Sequence, residues 1–172
     1  YASRGTLHSG LTDVFVAIAI DCSKLDVQLV MSLGNRDATA IPDLPGSPIV
    51  VPFAPQLELL KRASLLITSA GMNTTLEALC LGVPMVAIPL DGDQPGVGAR
   101  IAYHGFGEVL DRSTLTAAKL REAVVNVLHK PRYREAAKTA QRRIEQENGL
   151  DRAADIVESV VVAARRKEAL AR

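Results

Sequence analysis

Apolar residues recur along the chain in two alternating rhythms. Leu11, Val14, Phe15, Ile18 and Ala19 fall at helical spacing, which predicts a helix over about 12–24. Val27 to Leu33 is a short branched apolar run that stops at Gly34, the signature of a buried strand. Asn35 to Pro48 carries Asn, Asp, three prolines and Gly and reads as a loop. Ile49-Val50-Val51 is a strand cut off by Pro52. Gln56 to Ala63 is a short helix pattern, and Leu65-Leu66-Ile67-Thr68 is the next strand. After the turn Ser69-Ala70-Gly71, residues Asn73 to Leu79 read as a helix with its cap, ended by Gly82. Pro84 to Leu90 is another apolar strand, Asp91 to Gly96 a polar loop, Val97 to His104 a helix, and Gly107 to Leu110 the last short strand. Helices are predicted over Thr116 to His129, from Pro131 with a stripe of Tyr133, Ala136, Ala137, Ala140 and Ile144, and from Asp151 into the basic tail Arg165-Arg166-Lys167.

Strands that are apolar on both faces and alternate with helices predict an α/β fold, a doubly wound parallel sheet covered on both sides. Ligands of such sheets bind beyond the C-terminal ends of the strands. The segments after Ser3, Leu33, Val51, Thr68 and Leu90 are therefore the ones to inspect.

Composition narrows the class without changing that picture. Of 172 residues, 48 % are hydrophobic, enough for one packed domain rather than a disordered tail. Twenty Lys and Arg against 19 Asp and Glu leave a net charge of +1, which argues against a nucleic-acid partner. Only two cysteines, Cys22 and Cys80, exclude a disulfide scaffold, and both fall in helix patterns that suggest buried thiols. Apolar runs are broken before about 18 residues, so no membrane span is predicted. The opening Tyr1-Ala2-Ser3-Arg4-Gly5-Thr6 reads as the end of a strand entering a glycine turn, as expected of a piece of a larger protein.

Four segments carry candidate chemistry. In Ser69-Ala70-Gly71-Met72-Asn73-Thr74-Thr75, Gly71 lets backbone approach a ligand closely, and the polar helix start favours an anion such as a phosphate. The same residues also suit plain N-capping. Phe53, held between Pro52 and Pro55, is a rigid ring able to cover a base, although a lone Phe more commonly forms a lid over the core. Asp93 and Gln94 offer acceptors and donors for sugar hydroxyls, and Asp91-Gly92-Asp93 offers two carboxylates to a hard cation or serves as a simple turn. Glu77 shares a helix face with Asn73, where its carboxylate can accept from vicinal ribose hydroxyls or steady the helix.

In joint order and spacing, Phe53-Ala54-Pro55-Gln56, Ser69 to Glu77, Gly82-Val83-Pro84 and Asp93-Gln94-Pro95 resemble the donor signature of the UDP-glycosyltransferases. The likeness runs over nearly the whole chain and is nearest to bacterial macrolide and zeaxanthin glycosyltransferases. It implies the C-terminal nucleotide-sugar-binding domain, spanning 1–172, of an inverting two-domain GT-B enzyme that needs no metal and no cofactor beyond its donor. The partners implied are UDP or a UDP-sugar and an N-terminal acceptor domain, in the same chain or as a separate one, which would carry the catalytic base. The resemblance assigns Phe53, Ala54, Gln56 and Glu77 to the nucleoside. It assigns Gly5, Thr6, Ser69, Gly71, Asn73 and Thr74 to the phosphates, and Asp93 and Gln94 to the transferred sugar. Ser69 departs from the family, which typically has His there; Arg4 stands where an apolar residue is usual. The activity implied is transfer of a hexose, glucose foremost, to a lipophilic or natural-product hydroxyl in the cytoplasm, with peripheral membrane association open. Alternatives are a GlcNAc transferase acting on a lipid-linked acceptor, split-chain forms included, and a non-catalytic nucleotide-binding module.

Overall fold

A computed structural model describes residues 1–3, 12–34 and 44–170. Among the described residues, six parallel strands form one sheet: β1 (Ala2–Ser3), β2 (Val30–Ser32), β3 (Ile49–Val51), β4 (Leu66–Thr68), β5 (Met85–Ala87) and β6 (Gly107–Val109). They lie in the order β3-β2-β1-β4-β5-β6, so the chain builds outward from β1 in one direction and then crosses to the other side. The helices are α1 (Thr12–Cys22), α2 (Gln56–Leu60), α3 (Met72–Cys80), α4 (Gln94–Tyr103), α5 (Ala117–His129), α6 (Pro131–Glu147) and α7 (Gly149–Leu170).

The period-two geometry of a strand explains the two-sided core. Ile67, Val86 and Ile88 point to one face and pack with Ile18 and Ala19 of α1 and with Leu120, Val124 and Val127 of α5. Leu66, Met85 and Ala87 point to the other and pack with Leu60 of α2, Ala78 and Leu79 of α3, and Val97 and Ile101 of α4. A sheet buried on both faces has no use for polar alternation, which is why its strands read as continuous apolar runs. Thr116 caps α5 by accepting from the Lys119 N–H at 3.3 Å.

Several boundaries differ from the sequence pattern. The run from Val27 contributes only Val30–Ser32 to the sheet, because Val27 lies outside the ladder and is exposed. Helix α4 begins at Gln94 rather than Val97: Pro95, in its first turn, suits a helix start, where no amide donor is needed. The last helix begins at Gly149, just after Asn148 turns left-handed at φ 43°. Cys22 is buried as expected, and burial pushes its thiol pKa up, but Cys80 is exposed. Cys80 sits one position past Leu79, so the helical turn swings it off the buried face. No described helix is long and apolar enough to cross a membrane.

Candidate functional site

The strand order places a topological switch between β1 and β4. Connections leaving these neighbours run to opposite sides, and a crevice opens outside their carboxyl ends. A cleft of about 540 Å³ lies there. Tyr1 and Ser3 of the first strand line it, with Ser32 and Gly34 after β2, Phe53 to Glu58 after β3, and Thr74 and Glu77 on α3.

The Phe53 ring stands at the edge of this cleft with 72 % of its surface exposed. It is therefore not the core lid that a lone Phe more commonly forms. An exposed ring between two prolines keeps an apolar face ready for a flat partner. Ala54 beneath it is buried, and α2 starts immediately after Pro55, anchored by the fully buried Leu60.

Gln56, the first residue of α2, ties three elements together around the cleft. Its Nε2 donates to Glu77 Oε2 at 2.5 Å and to Thr74 Oγ1 at 3.3 Å. Its Oε1 accepts from the Tyr1 hydroxyl at 3.4 Å. The Glu77 carboxylate is thus held through Oε2 by a neutral donor, which does not cancel its charge.

Helix α3 begins without a side-chain cap. Gly71 occupies the N-cap position in an extended conformation, φ −62° and ψ 138°, so the polar residues Asn73 and Thr74 do not cap it; they lie inside its first turn. The first bond of the helix is from the Thr75 N–H to the Gly71 carbonyl, 2.9 Å, which leaves the preceding amides facing out along the positive end of the dipole. Asn73 is exposed, and Ser69 and Thr74 are half-buried. The turn before it is strained: buried Ala70 has φ 64°, held by a 3.3 Å bond from its N–H to Thr68 Oγ1. The Thr75 hydroxyl, 5 % exposed, has no hydrogen-bond partner among the described residues.

Asp93 and Gln94 do not line this cleft; they sit at the start of α4, after β5. Asp93 is exposed, whereas Gln94 is 8 % exposed and its Oε1 accepts from the Leu90 N–H at 2.9 Å. Gly5 and Thr6, with Arg4 and His8, lie outside the described residues. The structure therefore brings Phe53, Ala54, Gln56, Thr74 and Glu77 to one cleft and sets Gly71 and Asn73 at the adjoining helix start. Tyr1, Ser3, Ser32 and Glu58 were not singled out from the sequence; the positions of Ser3 and Ser32 at strand ends were the available signal.

A doubly wound domain with this cleft has the fold of GT-B glycosyltransferases. A family model described as UDP-glucoronosyl and UDP-glucosyl transferase matches residues 1–168, and the chain belongs to that family. It is 36 % identical over 162 residues to the uncharacterized UDP-glucosyltransferase YojK of Bacillus subtilis (strain 168), covering 93 % of this chain and 40 % of that protein. It is 35 % identical over 164 residues to the zeaxanthin glucosyltransferase of Pantoea ananas, covering 94 % of this chain and 38 % of that one. Among solved structures, the glycotransferase of kitacinnamycin superposes with a TM-score of 0.80 at 31 % identity, over 92 % of this chain and 42 % of that chain. The chain thus spans about two fifths of the length of the relatives it matches.

Proposed function

We propose that this chain is the UDP-sugar-binding domain of an inverting, metal-independent glycosyltransferase, with UDP-glucose as the donor and a lipophilic or natural-product hydroxyl as the acceptor. The observation that carries the reading is the convergence of Phe53, Gln56, Thr74 and Glu77 on one cleft at the switch point of the sheet. In this reading Phe53 stacks on the base and the backbone of Ala54 meets the base edge. Glu77, steadied by Gln56, accepts from the two ribose hydroxyls. The diphosphate lies at the start of α3, where the first-turn amides, Asn73 and Thr74 donate to it. The resemblance assigns Gly5, Thr6 and Ser69 to the same phosphates, and Asp93 and Gln94 to hydroxyls of the hexose.

The chemistry follows from where charge develops. The acceptor oxygen attacks the anomeric carbon as the bond from that carbon to the diphosphate breaks, and the bonding pair leaves with UDP. The configuration inverts, and the acceptor proton passes to a base in an acceptor domain outside these 172 residues. An uncapped helix N-terminus stabilises the negative charge growing on the departing diphosphate, the task a metal performs in other sugar transfers.

Calorimetry with UDP tests the reading. The expected result is saturable one-to-one binding with Kd below about 1 mM, and a chain that leaves UDP unbound at that concentration is not a donor domain. Sustained glucosyl transfer by the isolated chain would overturn the assignment of the base to another domain.

A further inference from the structure

We infer that Tyr1 is a positioning residue for nucleotide recognition, holding the Gln56 amide so that its nitrogen faces Glu77. The inference rests on the donor-site reading above and names a residue that reading leaves without a role.

An amide side chain presents a donor at one end and an acceptor at the other, and the end that faces a carboxylate decides between attraction and repulsion. At Gln56 the acceptor-only Glu77 carboxylate requires the amide nitrogen to face it, and the two hydroxyls, able to donate or accept, fit that orientation. The Tyr1 hydroxyl donates to Oε1 at 3.4 Å, while Nε2 serves Thr74 and Glu77. Without the hydroxyl the amide oxygen loses its partner on the β1 side, and the side chain is held at one end only. Glu77 would then lose the fixed donor that holds its Oε2.

Tyr1 is built for such a task. Its nitrogen donates to the Leu65 carbonyl at 2.9 Å and its carbonyl accepts from the Ile67 N–H at 2.8 Å, so its backbone is fixed beside β4. The ring lines the cleft and is only partly exposed. A rigid anchor that reaches a first-contact side chain through one hydrogen bond is how a site keeps its geometry before the ligand arrives.

Tyr1→Phe keeps the ring and removes the hydroxyl, and the full 172-residue chain can be titrated with UDP and with 2′-deoxy-UDP. If Tyr1 acts through Gln56 and Glu77 on the ribose diol, the variant binds UDP about three- to tenfold more weakly, while 2′-deoxy-UDP affinity stays within about twofold of wild type. In a Gln56→Ala background, Tyr1→Phe then has no further effect on UDP. Equal weakening for both nucleotides assigns Tyr1 a purely structural role and overturns the inference, as does unchanged affinity for both. A wild-type chain that binds neither nucleotide overturns the donor-site reading and this inference together, so the two failures are distinct.

Discussion

The Gln56 amide nitrogen and the Glu77 carboxylate meet at 2.5 Å, joining the start of α2 to the middle of α3 across the wall of the cleft. These residues are 21 positions apart, and neither the helix containing Gln56 nor the one containing Glu77 is long. Their bond fixes a charged acceptor in a place where it makes no contribution to the core. Replacing Glu77 by Ala should cost about 1 kcal/mol of stability through the lost bond to Gln56 and weaken UDP about tenfold or more, the scale of a lost charge-assisted contact. Calorimetry beside a thermal melt checks both halves.

Gly71 separates a structural from a functional use of glycine. Its φ of −62° is open to any residue, and a Cβ built there meets nothing within 4 Å. Gly71→Ala should thus cost less than about 1 kcal/mol in a denaturant melt. If the diphosphate packs against this backbone, the same methyl group reduces UDP affinity severalfold. An affinity equal to wild type would remove Gly71 from the site.

By its resemblance to the UDP-glycosyltransferases, Ser69 is expected to fill a position that His would otherwise occupy. A hydroxyl can donate one bond but brings no charge, and Ser69 is half-buried beside the start of α3. Ser69→His should raise UDP affinity severalfold, with the gain larger below about pH 6.5, where the imidazole is protonated. UDP titrations at two pH values measure this directly. No gain at either pH would mean that the present site is already complete.

Much of this fold is legible in the residue pattern, and the reason is burial. Leu66 and Ile67 pack against opposite sides of the sheet, so the run containing them must be apolar throughout. The start of α4 was hidden because Asp91 to Gly96 has the composition of a loop, while the helix in fact begins at Gln94. The site was half legible. Asn73, Thr74 and Glu77 follow from local helix geometry, but the Gln56–Glu77 bond and the exposure of Phe53 depend on how distant elements pack. The strained Ala70 turn left no trace, since Ala has no preference for a positive φ.

Asp21 gives a pH dependence independent of the cleft. It lies on α1 with 2 % of its surface exposed, and its Oδ2 has no hydrogen-bond partner among the described residues. Burial pushes its pKa up, and Arg121 and Lys24 offset part of that effect. The folded chain therefore keeps this proton to higher pH than the unfolded chain. Its contribution to stability is intact below the ordinary carboxylate range and is lost as pH rises from that range to the raised value. Asp21→Asn should be more stable than wild type at pH 7, and the difference should shrink towards about pH 3. Urea melts at the two pH values decide it; a difference that grows on acidification would reverse the sign.

The central claim is a location as much as an affinity, and amide chemical-shift mapping during a UDP titration tests both. The account predicts saturable shifts concentrated at Ala54, Gln56, Gly71 to Thr74 and Glu77, with α6 and α7 silent. Shifts centred away from the β1–β4 switch point, or no shifts at about 1 mM UDP, would contradict it.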